Sequence, residues 1–114
     1  QIVVSTGAKQ SIANVCMSLI NKGDEVVIPT PYWVSYSAMV SLADGIPVFV
    51  HPDENANYKV TAAQLESAIT DKTKMVMLNS PNNPSGSVFT KEEYLEFSKQ
   101  FIKSQLIIKK KLNK

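Results

Sequence analysis

Short apolar runs alternate with amphipathic segments along the whole chain. The apolar runs are short, and three of the four are rich in Val and Ile, which is typical of strands. In the amphipathic segments the apolar positions recur every three or four residues, which is the period of a helix. The pattern predicts strands at residues 2–4, 25–29, 47–50 and 74–80, helices at 8–20 and 34–43, and further helices that begin at Thr61 and Thr90.

Strands that alternate with helices predict a parallel sheet with helices on its faces. Residues 75–78 are apolar at every position, as in a strand that is covered on both sides. Thr61 with Gln64, and Thr90 with Glu93, have the spacing of capping boxes at helix starts. We therefore predict the α/β class, as a partial, mostly parallel sheet with flanking helices.

The apolar helix positions predict which side chains are buried. One face of the first helix carries Ile12, Val15, Cys16 and Leu19. Cys16 is the only cysteine, so it is expected to be a buried thiol in a reducing compartment. The four methionines are also expected in the core, at positions 17, 39, 75 and 77.

Composition narrows the class of protein. The chain has 114 residues, of which 44% are hydrophobic and 19% are charged, as in an ordinary folded domain or part of one. No apolar run approaches the roughly 20 residues of a membrane helix, and we expect a cytoplasmic protein without a membrane partner. The net charge of +2 comes from a lysine-rich end at residues 103–114. Such an end can bind nucleic acid, but a solvated or artefactual end is favoured, and no nucleic-acid partner is expected.

The first candidate site is the turn at residues 5–10, Ser-Thr-Gly-Ala-Lys-Gln, between a predicted strand and a predicted helix. A helix N-terminus offers free backbone N–H groups and the positive end of the helix dipole, which suits a phosphate. Gly7 and Ala8 are small enough for an anion to approach the backbone. The turn matches neither GxGxxG nor a P-loop, so an ordinary capped helix start is the alternative.

The second candidate is the turn at residues 29–33, Pro-Thr-Pro-Tyr-Trp, after the second predicted strand. Ligands of open α/β sheets bind at the carboxyl ends of the strands. Trp33 could stack on a flat heteroaromatic ligand there, or it could be an ordinary core residue.

The third candidate is the loop at residues 79–86, Asn-Ser-Pro-Asn-Asn-Pro-Ser-Gly. An Asn-Pro bond is a plausible cis site, and Asn83 could then direct its amide at a ligand oxygen. A simple turn is the alternative. His51 is expected at the surface, and Asp53 and Glu54 have no histidine or cysteine nearby, so no metal site is predicted.

Together these segments resemble the large domain of class I, fold-type I aminotransferases, particularly the prokaryotic-type aspartate aminotransferase branch. The matching segments are residues 6–10, 23–26, 31–36 and 79–86. The resemblance runs from about residue 1 to about residue 101. We therefore predict that residues 1–102 are part of the large cofactor-binding domain. Residues 103–114 are predicted to lie outside the family pattern, as a tail that a shifted reading frame or the end of a broken gene would explain, although residues 106–108 resemble a strand start.

The resemblance implies pyridoxal 5′-phosphate as the cofactor. Gly7, Ala8 and Lys9 would bind its phosphate. Trp33 would stack on its pyridine ring, and Asn83 would donate to its phenolic oxygen. Trp33 and Asn83 would also contact the substrate.

The resemblance also implies which parts of an active enzyme lie elsewhere. In the family, the lysine that binds the cofactor covalently and the aspartate at the pyridine nitrogen follow these segments. The substrate-binding arginines of the family are also missing, since this sequence contains no arginine. No lysine of this chain matches the catalytic position, so no catalytic residue is predicted here. Pro31 and Pro84 match positions that often follow cis peptide bonds in such enzymes.

The leading hypothesis is a fragment of a transaminase that moves an amino group between an amino acid, aspartate or a similar one, and a 2-oxo acid. Parent enzymes of this type are usually homodimers, and the isolated chain is expected to be inactive. One alternative is a fragment of another fold-type I enzyme, such as a lyase or synthase. The other is a catalytically silent remnant that binds phosphate ligands or nucleic acid.

Overall fold

The computed structural model describes the backbone of residues 2–112 and the side chains of residues 2–102. It forms a three-stranded parallel sheet in the order β2-β1-β3, with helices packed on both faces. The elements are, in chain order, α1 (Gly7–Leu19), β1 (Glu25–Pro29), α2 (Ser35–Leu42), β2 (Ile46–Val50), α3 (Ala62–Ala68), β3 (Thr73–Val76) and α4 (Lys91–Leu112). The predicted α/β class and parallel sheet are confirmed.

The central strand β1 separates two hydrophobic cores. Val26 and Ile28 pack with residues of α1 and α2 on one face of the sheet. Val27 packs on the other face with residues of α3 and α4. Because both faces are covered, every one of these three side chains is fully buried, which explains the unbroken apolar run in the sequence.

Both predicted capping boxes are present. The Thr61 hydroxyl accepts from the Gln64 N–H at 3.2 Å, and the Gln64 side chain accepts from the Thr61 N–H at 2.8 Å. At the start of α4, the Thr90 hydroxyl accepts from the Glu93 N–H at 3.2 Å, and the Glu93 carboxylate accepts from the Thr90 N–H at 2.7 Å. Glu93 also pairs with Lys59 at 2.6 Å, so the start of α4 is joined to the loop before α3.

Three predicted strand segments differ from the structure. Residues 2–4 form no strand, because no described neighbour supplies backbone partners, and Ile2 is 93% exposed. The strand predicted at 74–80 is shorter and ends at Val76, although the Met77 N–H still donates to the Val27 carbonyl at 2.9 Å. The strand start predicted at 106–108 is wrong, since the backbone there continues α4.

The predicted core of α1 is only partly correct. Cys16 is fully buried, whereas Val15 is 45% exposed and Leu19 is 51% exposed. Met17 is 60% exposed, so its predicted core position is wrong. Only one side of α1 packs against α2 and the sheet, and no described element covers its outer flank. Of the other methionines, Met39 is buried and those at 75 and 77 pack against the same core.

Candidate functional site

The turns that follow β1 and β3 meet at one edge of the sheet. Because β1 and β3 are parallel neighbours, their carboxyl ends lie side by side. The side-chain amide of Asn82 confirms this proximity, since Nδ2 donates to the Pro31 carbonyl at 3.0 Å. The second and third candidate segments of the sequence are therefore parts of one surface.

The start of α1 reaches the same surface through Lys9. The Lys9 ammonium Nζ lies 5.1 Å from the centre of the Trp33 ring. This distance is within the roughly 6 Å range of a cation–π contact. The first candidate turn thus contacts the second at Trp33, the residue that the sequence analysis proposed to stack on a ligand.

For Trp33 the sequence left two alternatives, stacking on a ligand or packing in the core, and the structure is compatible with both. Its ring packs against the α1–α2 core, and it meets the Tyr36 ring edge-on with centroids 5.6 Å apart and planes at 82°. It is nevertheless only half-buried, so part of the ring remains accessible. Burial raises the pKa of the Tyr36 phenol, so this neighbour of Trp33 stays neutral at physiological pH.

The turn at the start of α1 leaves empty space beside Gly7. Gly7 has φ of +78°, which favours glycine, and a Cβ built there would meet no atom within 4 Å. The Gly7 N–H donates to the Ser5 carbonyl at 2.9 Å, whereas Ala8 and Lys9 lie in the first turn, where a helix supplies no carbonyl partner. No acidic residue lies in this first turn. Among the described residues, the N–H groups of Ala8 and Lys9 therefore have no hydrogen-bond partner, whereas Gly7 contributes its left-handed backbone conformation.

The loop at residues 79–86 is held by its own hydrogen bonds. The Asn82 N–H donates to the Ser87 carbonyl, and the Gly86 N–H donates to the Asn82 carbonyl, each at 2.8 Å. Asn83 is exposed, and among the described residues its side chain makes no hydrogen bond. The Asn83 amide that the sequence singled out is thus available to a ligand.

Three X-Pro peptide bonds around this edge are cis. The bonds before Pro31 and Pro84 have the geometry that the sequence predicted. The cis bond between Ser80 and Pro81 was not predicted, because neither an Asn-Pro pair nor the family resemblance singled out Pro81.

Asn82 is the residue at this edge that sequence reasoning missed. It is half-buried, and its Oδ1 is buried without a hydrogen-bond partner among the described residues. In the sequence it is one of three asparagines in the loop, with Asn79 and Asn83. Only the folded chain shows that its amide reaches Pro31.

His51, the only histidine of the chain, lies beside the second candidate turn. His51 is exposed, as predicted, and its Nδ1 lies 2.9 Å from the Thr30 hydroxyl. Among the described residues, no three His, Cys, Asp or Glu side chains gather as metal ligands would. No described helix is long and apolar enough to cross a bilayer.

Comparison with known proteins places these features in a family. The family model described as "Aminotransferase class I and II" matches residues 1–108, which extends beyond the predicted boundary at residue 102. An aspartate aminotransferase from Bacillus sp. (strain YM-2) is 47% identical over 108 residues, which are 95% of this chain and 28% of that protein. An asparagine–oxo-acid transaminase from Streptococcus mutans is 45% identical over the same length and share.

Solved structures show the same fold. The aspartate aminotransferase of Rhizobium meliloti superposes with a TM-score of 0.83 at 43% identity, over 87% of this chain and 25% of that one. The Thermus thermophilus enzyme with maleate gives 0.86 at 35% identity, over 90% and 27%. The chain thus spans little more than a quarter of these relatives. With a family match over nearly its whole length, the chain belongs to the class I and II aminotransferases.

Proposed function

We propose that this chain is the part of a transaminase that binds pyridoxal 5′-phosphate. The observation that carries the proposal is the 5.1 Å contact between the Lys9 ammonium and the Trp33 ring. It joins a cation at a helix start to a flat aromatic surface. These two groups suit the two ends of a phosphorylated heteroaromatic ring.

The residues fit this cofactor in three places. Its phosphate would accept from the N–H groups of Ala8 and Lys9 and face the Lys9 ammonium, in the space that Gly7 leaves open. Trp33 would fix the plane of the pyridine ring by stacking. The free Asn83 amide would donate to the phenolic oxygen, which favours the ionised form of that oxygen. When bound, the cofactor supplies the electron sink for reactions at the amino-acid α-carbon.

We infer that the parent enzyme moves an amino group between aspartate, or a similar dicarboxylic amino acid, and a 2-oxo acid. The names of the relatives from Bacillus and Rhizobium support aspartate. The Thermus thermophilus enzyme is described with maleate, a dicarboxylate. Trp33 and Asn83 would also contact the substrate. A homodimeric parent in the cytoplasm is part of the same proposal, and the buried free thiol of Cys16 is consistent with a reducing compartment.

Binding is tested by the fluorescence of Trp33, the only tryptophan of the chain. The probe is pyridoxamine 5′-phosphate, because it has no aldehyde and does not react with the twelve lysine amines. We expect saturable quenching by this probe, and much weaker quenching by pyridoxamine, which lacks the phosphate. Quenching that does not saturate, or that is equal for both compounds, would contradict the proposal.

Turnover is tested separately. The 114-residue chain is mixed with pyridoxal 5′-phosphate and aspartate, and the absorbance of the cofactor is followed. We expect no rapid conversion to the amine form, because among the described residues the only amine recorded over the Trp33 ring is that of Lys9, which is assigned to the phosphate. Rapid conversion would show that the chain alone is an active transaminase.

A further inference from the structure

Asn82 connects the two turns that carry the proposed ring and phenol contacts. Its Nδ2 donates to the Pro31 carbonyl at 3.0 Å across 51 positions of sequence. Pro31 lies two residues before Trp33, and Asn82 directly precedes Asn83. This hydrogen bond therefore joins the backbone segment that carries Trp33 to the backbone segment that carries Asn83.

Two other contacts join the turn at residues 29–33, called the Trp33 turn below, to β2 and not to the loop at 79–86. The Thr30 N–H donates to the Val50 carbonyl at 2.9 Å, which ties the turn to β2. The Tyr32 ring stacks on Phe49 with centroids 5.2 Å apart, which also leads to β2. Among the hydrogen bonds of the described residues, that of Asn82 is the only one that joins this turn to the loop at 79–86.

The orientation of the Asn82 amide is fixed by its partner. A proline carbonyl only accepts, so the Nδ2 end must face Pro31. The backbone N–H and carbonyl of Asn82 are already engaged with Ser87 and Gly86. The remaining oxygen, Oδ1, is buried without a hydrogen-bond partner among the described residues, which is unfavourable for stability. Of the two polar ends of this amide, only Nδ2 therefore makes a hydrogen bond within the described part of the chain.

We propose that Asn82 is a positioning residue that sets the Trp33 ring relative to the Asn83 amide. The inference rests on the proposed function, because it assigns Asn82 to the geometry of the same cofactor site. In this assignment Asn82 acts through its hydrogen bond to Pro31. Its loss should let the Trp33 turn and the Asn83 loop move independently, which would weaken cofactor binding without unfolding the sheet.

The test compares Asn82→Leu with Asn79→Leu. Asn79 is a matched control because it is half-buried in the same loop and its Nδ2 also donates to a proline carbonyl, that of Pro81, at 3.0 Å. That bond stays within the loop and does not reach the Trp33 turn. Leucine has the same number and branching of side-chain heavy atoms as asparagine and adds no charge near the phosphate. Asn82→Ala serves as a second variant in case leucine does not fit.

Two readouts use the single tryptophan at sub-micromolar protein concentration. The first is collisional quenching of Trp33 by acrylamide in the ligand-free chain, and the second is titration with pyridoxamine 5′-phosphate. For Asn82→Leu we expect greater acrylamide quenching and a dissociation constant raised about tenfold. For Asn79→Leu we expect both to stay within about twofold of the unmodified chain. Reaction of the buried Cys16 thiol with a thiol reagent monitors the fold.

The possible outcomes separate the two proposals. If the unmodified chain does not bind the probe, the proposed function fails, while the acrylamide readout still tests the role of Asn82. The positioning role is overturned if neither Asn82 variant changes Trp33 accessibility, or if Asn79→Leu changes it equally. It is also overturned if both Asn82 variants make Cys16 reactive, because Asn82 would then serve the whole fold.

Discussion

At the scale of single residues, Lys9 links two features of the site. Its amide belongs to the first turn of α1, and its ammonium lies over Trp33. A phosphate at the helix start would compete with the ring for this cation, and it would be the stronger partner because it carries full negative charge. Lys9 should therefore contribute to phosphate binding more than any lysine outside the turn.

Replacing Lys9 with glutamine tests this contribution. We expect Lys9→Gln to raise the dissociation constant for pyridoxamine 5′-phosphate about tenfold, which is about 1.4 kcal/mol. Lys22→Gln is the control, since Lys22 is exposed in the turn after α1. Fluorescence titration of Trp33 measures both variants. Equal affinities for the two variants would show that Lys9 makes no specific contribution to binding.

Gly45 gives a second prediction at this scale. A Cβ at this position would lie 2.7 Å from Cγ2 of Ile20 and 3.0 Å from Cγ1 of Val40, both buried in the α1–α2 core. We expect Gly45→Ala to lower the free energy of unfolding by about 1–3 kcal/mol through overpacking. Urea unfolding measures the change, with the exposed Ser41→Ala as control. An unchanged midpoint would mean that the core has room for a methyl group.

At the scale of elements, the sequence correctly predicted the features that depend on interactions between residues close together in the chain. The starts of α3 and α4 were predictable because a capping box needs only residues four positions apart or fewer. The segment at 2–4 has the composition of a strand, but strand formation depends on a neighbour that composition cannot reveal. The contact between Lys9 and Trp33 was unpredictable for the same reason, although each residue was singled out separately.

The start of α4 predicts a dependence of stability on pH. The hydrogen bond from Lys59, and then that from the Thr90 backbone, lower the pKa of the Glu93 carboxyl. A lowered folded-state pKa stabilises the fold above the unfolded pKa, and this stabilisation is lost as the pH falls through the folded value. Glu93→Gln retains a capping side chain but removes the charge.

We expect Glu93→Gln to cost about 0.5–1 kcal/mol at neutral pH, because the ion pair is partly exposed. The difference from the unmodified chain should vanish as the pH falls below the pKa of Glu93. Urea unfolding over a pH series measures it, with Glu92→Gln as a control in the same helical turn. A difference that persists unchanged in acid would show that charge is not the cause.

At the scale of the whole molecule, the described chain leaves much apolar surface uncovered. Ile2, Val3 and Val4 are each at least 88% exposed. An apolar groove of about 250 Å³ lies between α1 and β3, lined in part by Ile12 and Met75. Unpaired β-branched segments and apolar grooves promote association between chains.

Self-association should therefore depend on residues 2–4. We expect Val3→Lys to raise the protein concentration at which light scattering detects aggregates. Asn14→Lys adds the same charge at an exposed polar position of α1 and should have a smaller effect. Equal effects of the two variants would attribute solubility to net charge and not to the apolar segment.

The central claim is that three separate turns form one cofactor site. The most direct test is an amide NMR spectrum of the ¹⁵N-labelled chain with and without pyridoxamine 5′-phosphate. We predict that shifts concentrate on the backbone amides of Ala8 and Lys9, the single indole N–H of Trp33 and the side-chain amide of Asn83, with one common dissociation constant. Shifts confined to one turn, or spread over the lysines of the surface, would contradict a site built from all three.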